Sequence, residues 1–171
     1  MEAGMRVAGM ALVLLAGVMT ARPAAAQFDA GIAVGTKAPV VAVHDLEGKA
    51  VDLGAYIGKK PVMLEFWATW CALCKALYPQ LGKVHQTYGD RVQMIGINVT
   101  VNDPKARVKK YVERYRPPFL TLYDDQGVSS RAYDVPTTSF IVVIDAGGTV
   151  VYTGSGEDQD LVAAVGKAVA K

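Results

Sequence analysis

Cys71 and Cys74 are the only cysteines in the 171-residue chain, and two residues separate them. The thiolate is the form of cysteine that attacks a disulfide. Two thiols at this spacing can complete an exchange: one sulfur attacks a partner's disulfide, and the other resolves the mixed disulfide and releases the partner. As a staple the pair would be poor, because so short a loop restricts the unfolded chain very little. The same spacing is also half of a zinc site. Zinc would need two more ligands, and the chain offers only His44 and His85, neither beside another ligand. No metal is expected.

The elements around the pair favour exchange. Pro61 to Trp67 is a short, strongly apolar run of strand type. From Cys71 to Tyr88, Leu73, Leu77, Leu81 and Val84 recur at helical spacing. The cysteines therefore fall where a strand passes into a helix, at unpaired backbone N–H groups and the positive end of the helix dipole. A sulfur there ionises more readily. Cys71, at the helix tip, is expected to be the exposed nucleophile, and Cys74, one turn on, the more buried resolver. Glu65 stands inside the apolar strand, where a carboxyl is costly unless it is paired or protonated. Perturbed carboxyls cluster at active sites, so Glu65 is expected to be buried and to accept a proton from Cys74 during resolution. The alternative is a strand-edge carboxylate reaching water.

Further along, Gly35 to Val51 suggests a small hairpin turning at Leu46-Glu47-Gly48-Lys49, with a short helix near Tyr56. Val92 to Val99 is a second buried strand. Asp103 to Arg116 predicts an amphipathic helix with Asp103 as N-cap and Pro104 at its first position, ended by Pro117-Pro118. Phe119 to Tyr123 predicts a strand, Gly127 to Tyr133 a short helical piece, and Phe140 to Ile144 with Thr149 to Thr153 a hairpin. Asp158 to Lys171 predicts a closing helix. That order describes one three-layer α/β domain around a central sheet. No repeat, low-complexity linker or second domain is evident.

The first 26 residues have a charged start at Arg6, an apolar run from Val7 to Thr20, and the small-residue end Ala24-Ala25-Ala26. These are the parts of a cleaved secretory signal, and the run is short of the ~20 residues that span a bilayer. Export to the periplasm follows, with 27–34 a flexible N-terminus and 35–171 the folded domain. After cleavage 16 basic and 15 acidic residues remain. Such balance argues against nucleic-acid or anionic-membrane partners, which need clustered positive charge.

The run Phe66-Trp67-Ala68-Thr69-Trp70-Cys71-x-x-Cys74 resembles thioredoxin-like proteins, particularly the exported TlpA/ResA-type thiol–disulfide oxidoreductases. Their N-terminal extension also resembles Gly35 to Pro39 and Asp45 to Lys49, so the resemblance spans about residues 35–170. It implies a thioredoxin fold with an N-terminal β-hairpin extension, dithiol–disulfide exchange without a cofactor, and protein disulfide or dithiol clients. It also suggests cytochrome c maturation or disulfide repair as uses; a reductant of this kind would need a membrane thiol relay as electron donor, and the chain is expected to act as a monomer. Glu65 occupies the place where thioredoxins carry a buried aspartate, and Pro79 that of a proline that kinks the active-site helix. Trp70 is expected to shield the sulfur and rim the partner surface, and Trp67 to pack in the core.

The family closes its site with a cis-proline loop. Pro136-Thr137-Thr138 matches the loop by composition, but counting from Tyr133 and towards Asp145 places Ser139 at the proline's position. The count favours Ser139 facing the cysteines after a trans bond, with Pro136 a plain loop proline and Thr138 able to pair with a client's backbone. Strong oxidants of this fold keep a histidine between their cysteines; here Ala72-Leu73 supplies none, and a negative Glu65 would further disfavour the thiolate. Both favour a reductant. Competing classes are a redox-inert binding domain, a thiol peroxidase and a copper-binding protein. The peroxidase lacks its threonine and arginine around Cys71, and the copper protein its distal histidine.

Overall fold

The computed structural model describes Met1 and residues 31–170. The expected signal segment after Met1 and the first half of the 27–34 extension fall outside the described residues.

Seven strands form one mixed sheet: β1 (Ala42–His44), β2 (Ala50–Asp52), β3 (Val62–Trp67), β4 (Gln93–Asn98), β5 (Leu120–Tyr123), β6 (Phe140–Ile144) and β7 (Val150–Ser155). Their order across the sheet is β2-β1-β5-β4-β3-β6-β7. Strands β3, β4 and β5 run parallel, while β6, β7, β1 and β2 join antiparallel at the two sides. β3 sits between β4 and β6 and is buried along its whole length. That is why it reads as a continuous apolar run rather than an alternation.

Alternate residues of β3 face opposite sides. Val62, Leu64 and Phe66 enter one core with Leu53, Tyr133 and Val142. Met63 packs with Leu77, Leu81 and Val84 of the active-site helix and Leu161 and Val165 of the last helix. Trp67, on the face of Met63, packs with Cys74 and with Val108. The helices α1 (Ala72–Ala76), α2 (Tyr78–Tyr88), α3 (Lys105–Tyr115) and α5 (Leu161–Val169) thus cover the Met63–Trp67 face. The opposite layer is thin: α4 (Val128–Ala132), a 3-10 turn at Leu53–Ala55, and the segment leading into β1.

Three expectations need correction here. Asp103 does not cap α3, which starts at Lys105 behind Pro104 and takes no side-chain cap. Within the segment 27–34, expected to be flexible, residues 31–34 are described and docked: Ile32 donates its N–H to Tyr133 O at 3.0 Å and packs on the core, and the Phe140 ring leaves no room for a Cβ at Gly31. The closing helix is also shorter than 158–171, beginning after Asp160, whose carboxylate caps Ala163 N–H. As expected, Pro79 interrupts the active-site helix, which breaks at Leu77 into α1 and α2.

Candidate active site

β3 ends at Trp67, and the turn to α1 is tied down by a buried aspartate. Asp103 accepts the Thr69 N–H at 2.7 Å and the Thr69 hydroxyl at 2.6 Å, and its second oxygen also takes the Asn98 amide at 2.8 Å. The Tyr123 hydroxyl donates to the Asp103 carbonyl at 3.1 Å. Burying a carboxylate is tolerable when its lone pairs are filled this way. Thr69 is two residues from Cys71, so this cluster fixes where the cysteines start. Sequence reasoning missed it: Asp103 precedes a proline and looks like a helix start, and its partner Thr69 lies 34 residues back. Trp70 is about half exposed and donates its indole N–H to Val101 O at 2.8 Å. Val101 lies between Thr100 and Asn102, both held at positive φ, 63° and 51°, a conformation costly for a β-branched threonine and concentrated at functional loops.

Cys71 is the N-cap of α1 and forms a disulfide with Cys74, their Cα atoms 5.3 Å apart. Its sulfur also accepts the Cys74 N–H at 3.0 Å. That bond favours negative charge on Cys71 once the disulfide opens. The expected exposure of Cys71 is not seen in the disulfide form, where Cys71 is 3% and Cys74 1% exposed. Lys75 lies over the Tyr111 ring, 5.9 Å from its centroid.

Beside Trp70 runs a groove of about 460 Å³ walled by Val99, Val101, Arg131, Pro136 and Thr138. Three of the four residues expected at the docking loop, Trp70, Pro136 and Thr138, therefore meet in one place. Thr137 and Thr138 make no backbone hydrogen bonds among the described residues, so their N–H and C=O groups are free to pair. α4 forms another wall and is held by the buried Asp124, which accepts from the N–H and hydroxyl of both Ser129 and Ser130. Sequence reasoning missed this clamp as well, though an aspartate before Gly127 and two serines is a readable turn signal.

Ser139 is the fourth, and it does not line the groove. It is buried at φ 57° with its hydroxyl accepting the Gly156 N–H at 2.9 Å, and Gln159 donates to its carbonyl at 3.4 Å. Its side chain is committed to the β7–α5 loop. No cis peptide bond occurs among the described residues, before Pro136 or elsewhere.

Glu65 is fully buried, and neither carboxyl oxygen has a hydrogen-bond partner. It shares the sheet face of Met63 and Trp67, and Trp67 belongs to the cluster that holds Cys74. Beside it in register stand Ile141 and Gly96; a Cβ at Gly96 would lie 2.2 Å from the Phe119 ring, so this row is roofed by an aromatic. Burial alone raises the Glu65 carboxyl from 4.5 to about 8. The group is therefore mostly protonated at neutral pH, which changes one expectation. A neutral Glu65 does not repel a thiolate, and only the Ala72-Leu73 dipeptide still favours a reductant.

The Redoxin family model matches residues 33–169, nearly all of the described chain. The chain belongs to the Redoxin family. It is 34% identical over 133 residues to the thiol-disulfide oxidoreductase ResA of Geobacillus thermodenitrificans, covering 76% of this chain and 75% of that protein. Among solved structures it resembles the thioredoxin domain of a thiol-disulfide oxidoreductase from Bacteroides vulgatus (TM-score 0.70, 25% identity, 81% and 99% of the two chains). A secreted disulfide oxidoreductase of Mycobacterium tuberculosis is also similar (TM-score 0.64, 28% identity, 74% and 95%). The thioredoxin-like fold and the ResA-type resemblance read from the sequence both hold.

Proposed function

We propose that this Redoxin family member is an exported thiol–disulfide oxidoreductase that reduces protein disulfides in the periplasm. One observation carries this: Cys71 and Cys74 are joined at the mouth of α1, with the Cys71 sulfur accepting the Cys74 N–H and Trp70 leading into an open groove. In the reduced protein the Cys71 thiolate attacks one sulfur of a client disulfide. A Cys71–client bond forms, and the other client sulfur leaves as a thiolate that takes a proton from water. Cys74 then loses its proton to Glu65 in its carboxylate form, the minor form at neutral pH, and attacks Cys71. The Cys71–Cys74 bond re-forms, and the second client sulfur leaves and is protonated by solvent. The client gains two electrons and the protein loses them, so a thiol donor must reduce it again; a membrane thiol relay is the class of donor that an exported protein would meet.

The free backbone of Thr138 suits a client strand laid along the groove, adding main-chain hydrogen bonds while apolar client side chains meet Trp70 and Val101. Cytochrome c maturation is one use that such a reductant could serve, as a monomer. Insulin reduction driven by dithiothreitol separates this activity from a redox-inert binding domain. Equilibration with glutathione decides the direction: a potential near or below that of thioredoxin, about −270 mV, supports a reductant. One near about −120 mV, as for strong oxidants, overturns it.

A further inference from the structure

Glu65 has no path of its own to water. Both oxygens are buried and unpartnered, yet the cycle above requires its proton to leave after each resolution. The structure places two phenols over this spot. Tyr78, at the start of α2, packs with the cluster of Met63. Tyr111, on α3, stacks its ring on Trp67 with centroids 5.4 Å apart. Met63 and Trp67 flank Glu65 on one face of β3, so the two tyrosines pack on that face from neighbouring helices, within electrostatic reach of the glutamate. Their hydroxyls meet, Tyr78 donating to Tyr111 at 2.9 Å. Tyr111 is only half buried and lies against the exposed Tyr115, ring centroids 4.6 Å apart.

We propose that the Tyr78–Tyr111 hydroxyl pair is the proton route between Glu65 and solvent. Protonated Glu65 gives its proton to the Tyr78 oxygen as the Tyr78 O–H passes its own to Tyr111. Tyr111 in turn releases one to water. One proton leaves Glu65, one reaches solvent, and both tyrosines end neutral. The hydrogen bond already points outward, from Tyr78 to Tyr111, with the Tyr78 oxygen still able to accept. The first hop exceeds a direct hydrogen bond and needs a turn of the Glu65 side chain or an intervening water. Burial raises both phenols, and ionised Glu65 adds to each, consistent with a shared site. The other groups bearing on the route are Lys75 above the Tyr111 ring, Tyr115, Asp103, and the two cysteines. A purely structural role for the pair, a polar bridge between α2 and α3, is the competing account.

This proposal rests on the proton role of Glu65, and the experiment separates the two. Glu65 protonation is followed in the full chain by infrared difference spectroscopy after a pH jump from above to below about 8. Glu65→Gln assigns the carboxyl band by removing it. Tyr78→Phe and Tyr111→Phe keep the rings, and each should slow the appearance of the protonated band by roughly tenfold or more, with its midpoint still near 8. Unchanged protonation rates in both phenylalanine variants overturn the route. So does a shift of midpoint without a change of rate, which is the signature of a structural bridge. If instead Glu65→Gln resolves a preformed mixed disulfide as fast as wild type, the role of Glu65 itself falls, and the route with it.

Discussion

The burial of the Glu65 carboxyl within the apolar strand VMLEFW has a thermodynamic sign. The unfolded chain ionises Glu65 as pH rises through 4.5, whereas the folded protein keeps the proton until about 8. The unfolded state therefore loses protons first, and folding stability drops as pH climbs through this window. The drop is on the order of 5 kcal/mol if Glu65 acts alone. Urea denaturation of wild type and Glu65→Gln at the two ends of the window should show the glutamine variant flatter. Equal slopes would mean that Glu65 is not buried as described. Resolution of mixed disulfides should also slow in Glu65→Gln and, in wild type, speed up as pH approaches 8, where the carboxylate form becomes available. Asp103 was misread because Asp-Pro is a genuine helix-start signal, and nothing local announces a tertiary partner. Asp103→Ala strands the Thr69 N–H and hydroxyl and the Asn98 amide. It should cost roughly 3 kcal/mol in urea unfolding and loosen the turn that presents Trp70, read as broadened Trp70 indole signals by NMR.

At the scale of elements, periodicity located every strand and most helices, since β3 and β4 are buried on both faces and α2 carries its apolar side at regular spacing. Boundaries at α3 and α5 shifted because the caps lie elsewhere. The loop before β6 was only partly readable. Counting placed Ser139 at the family's proline position, and a count carries no dihedral angle. With φ at 57°, Ser139 sits where a proline ring, fixed near −65°, cannot go. Ser139→Pro should therefore lower stability by about 3 kcal/mol or more by disrupting the loop, rather than acting subtly on docking. Pro136→Ala should leave the fold within about 1 kcal/mol and alter client affinity, because Pro136 lines the groove beside Trp70. A Ser139→Pro protein as stable as wild type would refute the assigned backbone geometry.

Over the whole molecule, the order of elements was enough to predict an α/β domain. It did not say that β5 would lie between β1 and β4, or that four helices would crowd one face, because strand neighbours and helix sides depend on long-range packing. Nor could it show that residues before 35 dock: Ile32 is an ordinary residue in a weakly patterned stretch, and its contacts with Tyr133 and the core arise only in three dimensions. A chain beginning at Gly35 should unfold at lower urea, by about 1–2 kcal/mol, from the lost Ile32 burial and hydrogen bond; equal midpoints would make the docking incidental. The proposed division of labour makes Cys71, the N-cap of α1, the attacking sulfur and Cys74 the resolving one, and trapping tests that division most directly. Incubated with a disulfide-bonded protein client and resolved on non-reducing gels, Cys74→Ser should accumulate a covalent Cys71–client adduct. Cys71→Ser should accumulate none and turn over nothing. Adducts on Cys74 in the Cys71→Ser protein, with none in Cys74→Ser, would contradict the account.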